Sequence, residues 1–412
     1  MKKSIQRKYA KLIARVGANI QKGQTVRLYI NADQHEFATI LVEECYKAGA
    51  SRVDIDWMWQ PITKLDYRYR SQKSLNTVLK WEEERLKLMT EEYPCRIIIL
   101  SDDPDGLKGV NQSKMQKARI ARYPVIKPYR DAIDNKHQWT IAAVPSYPWA
   151  KKVFPALTKL QAYNKLWDEI LKTVHVTEDN DPVLAWQKHN DTFKKRSAWL
   201  NEQKFDSIVY KSANGTDLTV DLIPEGRWCG GGETTLGGVY YNPNMPTEEI
   251  FTSPMKGRAE GKVVSTKPLS YEGQLIENFS ITFKNGKAVS WTAEKGEPLL
   301  TKMLTMDEGA TMLGELALVG IHSPISSSGI LYYETLFDEN ASCHLALGQG
   351  FNECLDGFQD LSNEECKAKG INESMIHVDF MIGAPDLQIT GIKNGKSTPI
   401  FIDGEWSEKI PC

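Results

Sequence analysis

The sequence predicts an α/β N-terminal domain with a mostly parallel, doubly wound sheet, followed by an α+β, β-rich C-terminal domain. Three observations carry this. Apolar residues alternate between helical and strand spacing through the first 180 positions, a polar turn-forming cluster follows at 177–182, and Asn-Gly hairpins appear beyond it. A length of 412 residues suits two or three domains at roughly 150 residues each.

In order, Ile5, Tyr9, Leu12, Ile13 and Val16 mark a helix over 3–18, and Thr25 to Ile30 a β-branched strand. Asp33 is read as the N-cap of a second helix through Leu41 and Cys45, with Gly49 ending it; Arg52 to Trp57 then alternates as a strand. This β-α-β unit recurs as helix 78–90, strand Cys95–Leu100, helix 111–121 and strand Trp139–Val144, which makes a parallel sheet the economical arrangement. Neither G-x-G-x-x-G nor G-x-x-x-x-G-K-[ST] follows any of these strands, so this half reads as a scaffold or substrate-gating domain rather than a nucleotide site. A helix over 156–173 runs into Thr177-Glu178-Asp179-Asn180-Asp181-Pro182, which places the boundary between domains 1–182 and 183–412. After a helix near 183–202, strands Ser207–Ser212 and Thr216–Leu222 flank Asn214-Gly215, and Ser280–Lys284 and Lys287–Thr292 flank Asn285-Gly286.

Composition excludes several function classes. Lys+Arg 51 against Asp+Glu 53 leaves a net charge of -2, which argues against nucleic acid as the main partner. Lys11, Arg15 and Lys22 interrupt every apolar stretch behind the basic N-terminus, and the apolar runs fall far short of a membrane span, so neither a secretory signal nor a membrane segment is expected. Seven cysteines, an odd number without a C-x-x-C pair, fit free thiols in a reducing cytoplasm.

Six residues offer metal chemistry. His377-Val378-Asp379 lies in an apolar stretch; as a strand it puts both side chains on one face about 6.6 Å apart, suited to one metal centre or to a structural hydrogen bond. His344 follows Glu339 by five residues, so both point inward only if the segment turns. Glu315 sits among Met312, Leu313, Leu316, Ala317 and Leu318, with a solvated helix face as the bland alternative. Glu249 precedes Ile250-Phe251-Thr252, with Glu248 beside it as an equal candidate. Four carboxylates and two imidazoles suit Zn²⁺, Co²⁺ or Mn²⁺ better than a thiolate or all-oxygen set does. They also suffice for two divalent ions sharing a carboxylate, whose +4 the four negative charges nearly cancel. H-E-x-x-H and G-x-S-x-G are absent, and Cys343 beside His344 would face the opposite way on an extended chain. Gly230-Gly231-Gly232 reads as a substrate-side loop or simply a turn.

Several blocks carry a resemblance. Thr247 to Pro254, Gly257-Arg258-Ala259-Glu260-Gly261, Ser265 to Leu269, Leu313-Gly314-Glu315, Ser323-Pro324-Ile325-Ser326, Thr335 to Gly348 and His377 to Gly383 together resemble the metallo-aminopeptidase family of aminopeptidase T and aminopeptidase S. The resemblance implies a dinuclear site on Glu249, Glu315, Glu339, His344, His377 and Asp379, and selects Glu249 over Glu248. It implies a metal-binding C-terminal domain that pairs into a homodimer, two divalent ions (Zn, Co, Mn or Mg), and hydrolysis of N-terminal residues from peptides. Glu315 is the expected catalytic residue, bridging the ions and orienting or deprotonating a water. One departure stands out: many members carry a catalytic tyrosine where this chain has Phe351, which has no hydrogen to donate to a developing oxyanion. The alternatives are a metal-binding but weakly active or silent homologue, and a hydrolase of other amides.

Overall fold

A computed structural model describes residues 1–271 and 274–411. Two compact units emerge, Met1–Gln187 with Gly232–Pro246, and Lys188–Gly231 with Thr247–Cys412. The chain therefore leaves the first unit inside the helix Pro182–Gln203, five residues after the position read from the polar cluster, and returns to it once. The return has a simple cause: Asn244–Met245 adds a strand beside Ile141–Ala142.

The first unit is built on a parallel sheet in the order Asn244–Met245, Trp139–Ala143, Cys95–Leu100, Thr25–Asn31, Arg52–Met58. Helices connect its successive strands, as the alternation of periods requires. Gly49, at φ 119, ends the helix His35–Ala48 in the left-handed region that a side chain would strain. Asp33 does not cap that helix; it lies in a 3-10 turn, Ala32–Gln34, that precedes it. The first helix is α only to Leu12 and closes as a π turn over Ile13–Gly17. The helix expected over 111–121 runs to Ile133 despite Pro124 and Pro128. A helix over Gln60–Tyr69 escaped the sequence reading; Ile62, Leu65 and Tyr69 fall at helical spacing on it, yet all three are exposed and none is buried. Tyr9, Phe37 and Trp167 meet at the centre of this unit, with ring centroids 5.9–6.5 Å apart.

The second unit is antiparallel, as the hairpin signals imply. One sheet takes in Ser207–Lys211, Asp217–Leu222, Pro254–Val264, Gln274–Lys284 and Gln388–Lys393, with Lys287–Lys295 paired to Gln274–Lys284. Asn285 and Gly286, at φ 50 and 73, make its two-residue turn, where a left-handed backbone suits Asn-Gly. The second sheet orders His377–Met381, His344–Gly348, Leu313–Leu318, Ile250–Thr252 and Cys229–Gly230. A single apolar core takes residues from both sheets, among them Ile208, Val220, Phe279, Leu316, Leu345 and Phe380.

Trp167 is fully buried against Tyr9 and Phe37. Trp167→Ala is expected to cost about 3–5 kcal/mol, read as a lowered melting transition of the purified chain.

Candidate metal centre

Strand register assembles the centre. Glu315 lies opposite Ala346, and Ala346 opposite Asp379. Directly opposed residues share a face, and alternation along the same strands adds His344 and His377 to it. Phe251 is opposite Ala317, which is opposite His344, so Glu249, two residues before Phe251, joins the same side. The reverse face presents Leu316, Leu318, Leu345, Leu347, Val378 and Phe380 to the core. Both faces are covered, and every position of Leu313–Leu318 is buried. Glu315 is thus on a central strand, not on a solvated helix.

Small residues make the room. Ala317, Ala346 and Gly348 occupy rows between the charged side chains. Gly314 sits where the register shifts beside Glu315, and a Cβ there would collide with the carbonyls of Gly348 and Gln349.

The imidazoles are oriented from behind. His344 Nδ1 lies 3.2 Å from the Ser342 carbonyl and His377 Nδ1 2.7 Å from that of Gln349. With Nδ1–H donating to those oxygens, each Nε2 faces the acids: 3.2 Å from Glu249 Oε2 for His344, and 3.1 and 3.2 Å from Glu315 Oε2 and Asp379 Oδ1 for His377. Phe351 adjoins this group, its ring tilted 49° to that of His377 at 4.8 Å and edge-on to that of Phe251 at 5.6 Å.

Glu339 arrives on a turn, the condition its spacing from His344 required. A helical turn, Thr335–Asp338, runs into a 3-10 turn at Glu339–Ala341. Asp338 fixes the approach by accepting from the amides of Tyr332 at 2.7 Å and Glu334 at 3.2 Å. Asn340, fully buried, accepts from Glu248 N at 2.6 Å and donates to Leu336 O at 3.0 Å and Glu339 Oε1 at 3.5 Å. It ties the Glu339 turn to the segment leading into Glu249. The sequence reading passed over Asn340, although an asparagine between two candidate ligands was the available signal. Glu248 lies outside the cluster, 4.0 Å from His189 Nε2.

Burial and crowding perturb these groups strongly. Burial, opposed by His377 and reinforced by Asp379 and Glu249, lifts Glu315 to about 7. Burial and the charges of Glu249, Asp379 and Glu315 hold Glu339 well above the carboxylate range. Burial would depress His344, but Glu249 overrides it and raises the imidazole to about 9. His377 is likewise raised against its burial by Asp379 and Glu315, while its charge draws Asp379 down to about 2.

The donor set fits divalent cations. Glu249, Glu315 and His344 bring ligand atoms within 4.8 Å of one another, and so do Glu315, His377 and Asp379, with Glu315 common to both groups. Asp379 Oδ1 is buried and, although 3.2 Å from His377 Nε2, has no hydrogen bond of acceptable geometry. Imidazoles held through Nδ1 by carbonyls, with Nε2 directed at carboxylates, are the supporting arrangement that metal-binding histidines need.

Comparison with known proteins agrees with this chemistry. The sequence matches a family described as thermophilic metalloprotease (M29) over residues 2–406. It is 41% identical over 401 residues to aminopeptidase AmpS of Bacillus subtilis (strain 168), and 36% identical over 401 residues to aminopeptidase T of Thermus thermophilus, with 97% of both chains covered in each case. The solved structure of wild-type AmpT from Thermus thermophilus superposes with a TM-score of 0.90 at 36% identity, covering 98% of this chain and 99% of that one.

Asn340→Ala removes the acceptor for Glu248 N and the donor to Leu336 O. A loss of about 1–3 kcal/mol in stability is expected from the unsatisfied groups, together with about 10–100-fold weaker metal binding, measured by thermal melting and metal titration.

Proposed function

The chain belongs to the thermophilic metalloprotease (M29) family and is a metal-dependent aminopeptidase; we propose that Glu249, Glu315, Glu339, His344, His377 and Asp379 hold two divalent ions, bridged by Glu315. The observation that supports two ions rather than one is Glu315's membership of two ligand groups at once. When bound, such ions supply Lewis-acid polarisation of the scissile carbonyl and activation of a water.

This chain's own residues do the rest. His344 and His377 keep Nε2 directed inward through their Nδ1 bonds to Ser342 and Gln349. Glu315, on a strand buried throughout, has little freedom to leave its position, so its carboxylate can orient a water or hold its proton at a fixed point. The Phe351 ring packs beside His377, with centroids 4.8 Å apart. As part of the same proposal, Zn²⁺, Co²⁺, Mn²⁺ or Mg²⁺ serves as the metal, and the protein acts on peptides as a cytoplasmic homodimer. Unbridged thiols suit a reducing compartment, and among the described residues no helix is long and apolar enough to cross a membrane.

Chelator treatment is expected to abolish hydrolysis of an aminoacyl anilide, and Co²⁺ or Zn²⁺ to restore it with two ions per chain. Glu315→Gln is expected to leave less than about a tenth of the turnover without unfolding the chain, because it removes a charge at constant volume. Saturation at one ion per chain, or full turnover in the variant, would overturn the bridged arrangement.

Phe351→Tyr places a phenol beside His377. It is expected to raise kcat with little change in KM, by well under the roughly 10²-fold that one oxyanion donor can contribute. Steady-state kinetics at matched metal content reads the outcome.

A further inference from the structure

The cysteines are not equivalent. Cys45, Cys95, Cys343 and Cys366 are completely enclosed, and Cys343 is held by Val319, donating to its carbonyl at 3.3 Å and accepting from its amide at 3.4 Å. Cys229 and Cys354 differ: Cys229 Sγ lies 3.4 Å from the carbonyl oxygen of Glu353, the residue before Cys354, which makes the two cysteines neighbours. The backbone explains why. Gly226 bridges Leu355 in antiparallel fashion, and Arg227 N donates to Cys354 O at 2.8 Å. Arg227 Nε and Cys229 Sγ both reach the Glu353 carbonyl, at 2.6 and 3.4 Å, which holds Cys229 against the turn that carries Cys354. Cys354 is fully buried, whereas Cys229, in a two-residue edge strand, is only half-buried.

The pair joins two parts of the site. Cys229 lies opposite Phe251, on the face that carries the charged cluster. Cys354 ends the 3-10 turn Asn352–Cys354, which starts immediately after Phe351. Phe351 is itself anchored by its amide, which donates to Ser253 Oγ at 2.8 Å.

We propose that Cys229 and Cys354 are an oxidation-sensitive dithiol whose disulfide draws the turn after Phe351 towards the sheet edge and lowers turnover reversibly. With a peroxide as oxidant the atoms balance. The more accessible Cys229 sulfur attacks the O–O bond, becomes a sulfenic acid and releases one water. The Cys354 sulfur then attacks the sulfenic sulfur, forming the S–S bond and releasing a second water. Two thiols lose two protons and two electrons, and one hydrogen peroxide becomes two waters. An S–S bond of about 2.05 Å is far shorter than a thiol–thiol contact, so the backbone on one side must follow. Cys229 Sγ lies 3.4 Å from the Glu353 carbonyl and gives up that interaction, but Arg227 Nε still donates to the same oxygen at 2.6 Å.

The bond itself does not depend on the aminopeptidase reading; its effect on turnover rests on it. The test treats metal-loaded protein with hydrogen peroxide, maps disulfides by non-reducing peptide mass spectrometry, and follows aminoacyl-anilide hydrolysis before and after dithiothreitol. The expected result is a Cys229–Cys354 cross-link and a loss of turnover of ~10-fold or more, in line with the cost of small displacements at a reacting centre. Dithiothreitol should reverse it, and Cys229→Ser should prevent it while keeping the reduced activity. Cys354→Ala, at a fully enclosed position, serves as a second variant. No cross-link, a cross-link without loss of turnover, or an equal loss in Cys229→Ser would each overturn the proposal. A protein inactive even when reduced would instead overturn the aminopeptidase reading, with the peptide map still deciding the bond.

Discussion

Three carboxylates and two imidazoles lie on one face of the five-stranded sheet, a fourth carboxylate, Glu339, reaches them from a turn, and the second unit is arranged around making that tolerable. Burying charge without a counter-charge is among the costliest arrangements in a protein, and pairing alone often fails to offset the desolvation. Each imidazole here faces the carboxylates at 3.1–3.2 Å. Burial pushes Glu315 and Glu339 towards their protonated forms, and the excess of four acids over two bases reinforces it. Divalent cations held by these residues would relieve the same excess and take the place of those protons, coupling metal binding to proton release and to stability.

The surrounding architecture serves that constraint. Leu316, Leu345 and Phe380 bury the reverse face, so the strands carrying the ligands cannot tilt without opening the core. Ala346 and Gly348 withhold side chains where bulk would separate Glu315, Asp379 and the histidines, and Gly314 lets the bulge beside Glu315 pack on backbone carbonyls. Asn340 performs the corresponding task for the parts of the site not on strands, spending its side-chain hydrogen bonds on two separate segments. The candidate ligands are therefore positioned by neighbouring small residues, backbone carbonyls and Asn340.

The dithiol adds a second kind of sensitivity to the same neighbourhood. Reduced, Cys229 and Cys354 fill space at the sheet edge; oxidised, they would constrain the turn that follows the Phe351 ring. A site that depends on close placement is well suited to control by a small displacement.

Much of this was legible in the residues themselves. Period 3.6 and period 2 alternate in the first unit because each helix and strand buries one side, and the Asn-Gly turns announce the hairpins because few other pairs accept a left-handed backbone. Charged residues in apolar stretches stand out without coordinates, which picks out the candidate ligands, whereas the choice of Glu249 over Glu248 and the metalloprotease kinship rested on the resemblance of whole sequence blocks. What the sequence left open, the tertiary structure decided. Strands closed on both faces lose the alternation that says which side is which, so Glu315 on Leu313–Leu318 reads equally as helix or strand. The helix Gln60–Tyr69 carries Ile62, Leu65 and Tyr69 at helical spacing but buries none of them, so its stripe points to no core. The convergence of Glu249, Glu315, His344 and Asp379, spread over 130 positions, and the meeting of Cys229 with Cys354, depend on strand register and turn geometry, which are set by long-range pairing and not by any local run of residues.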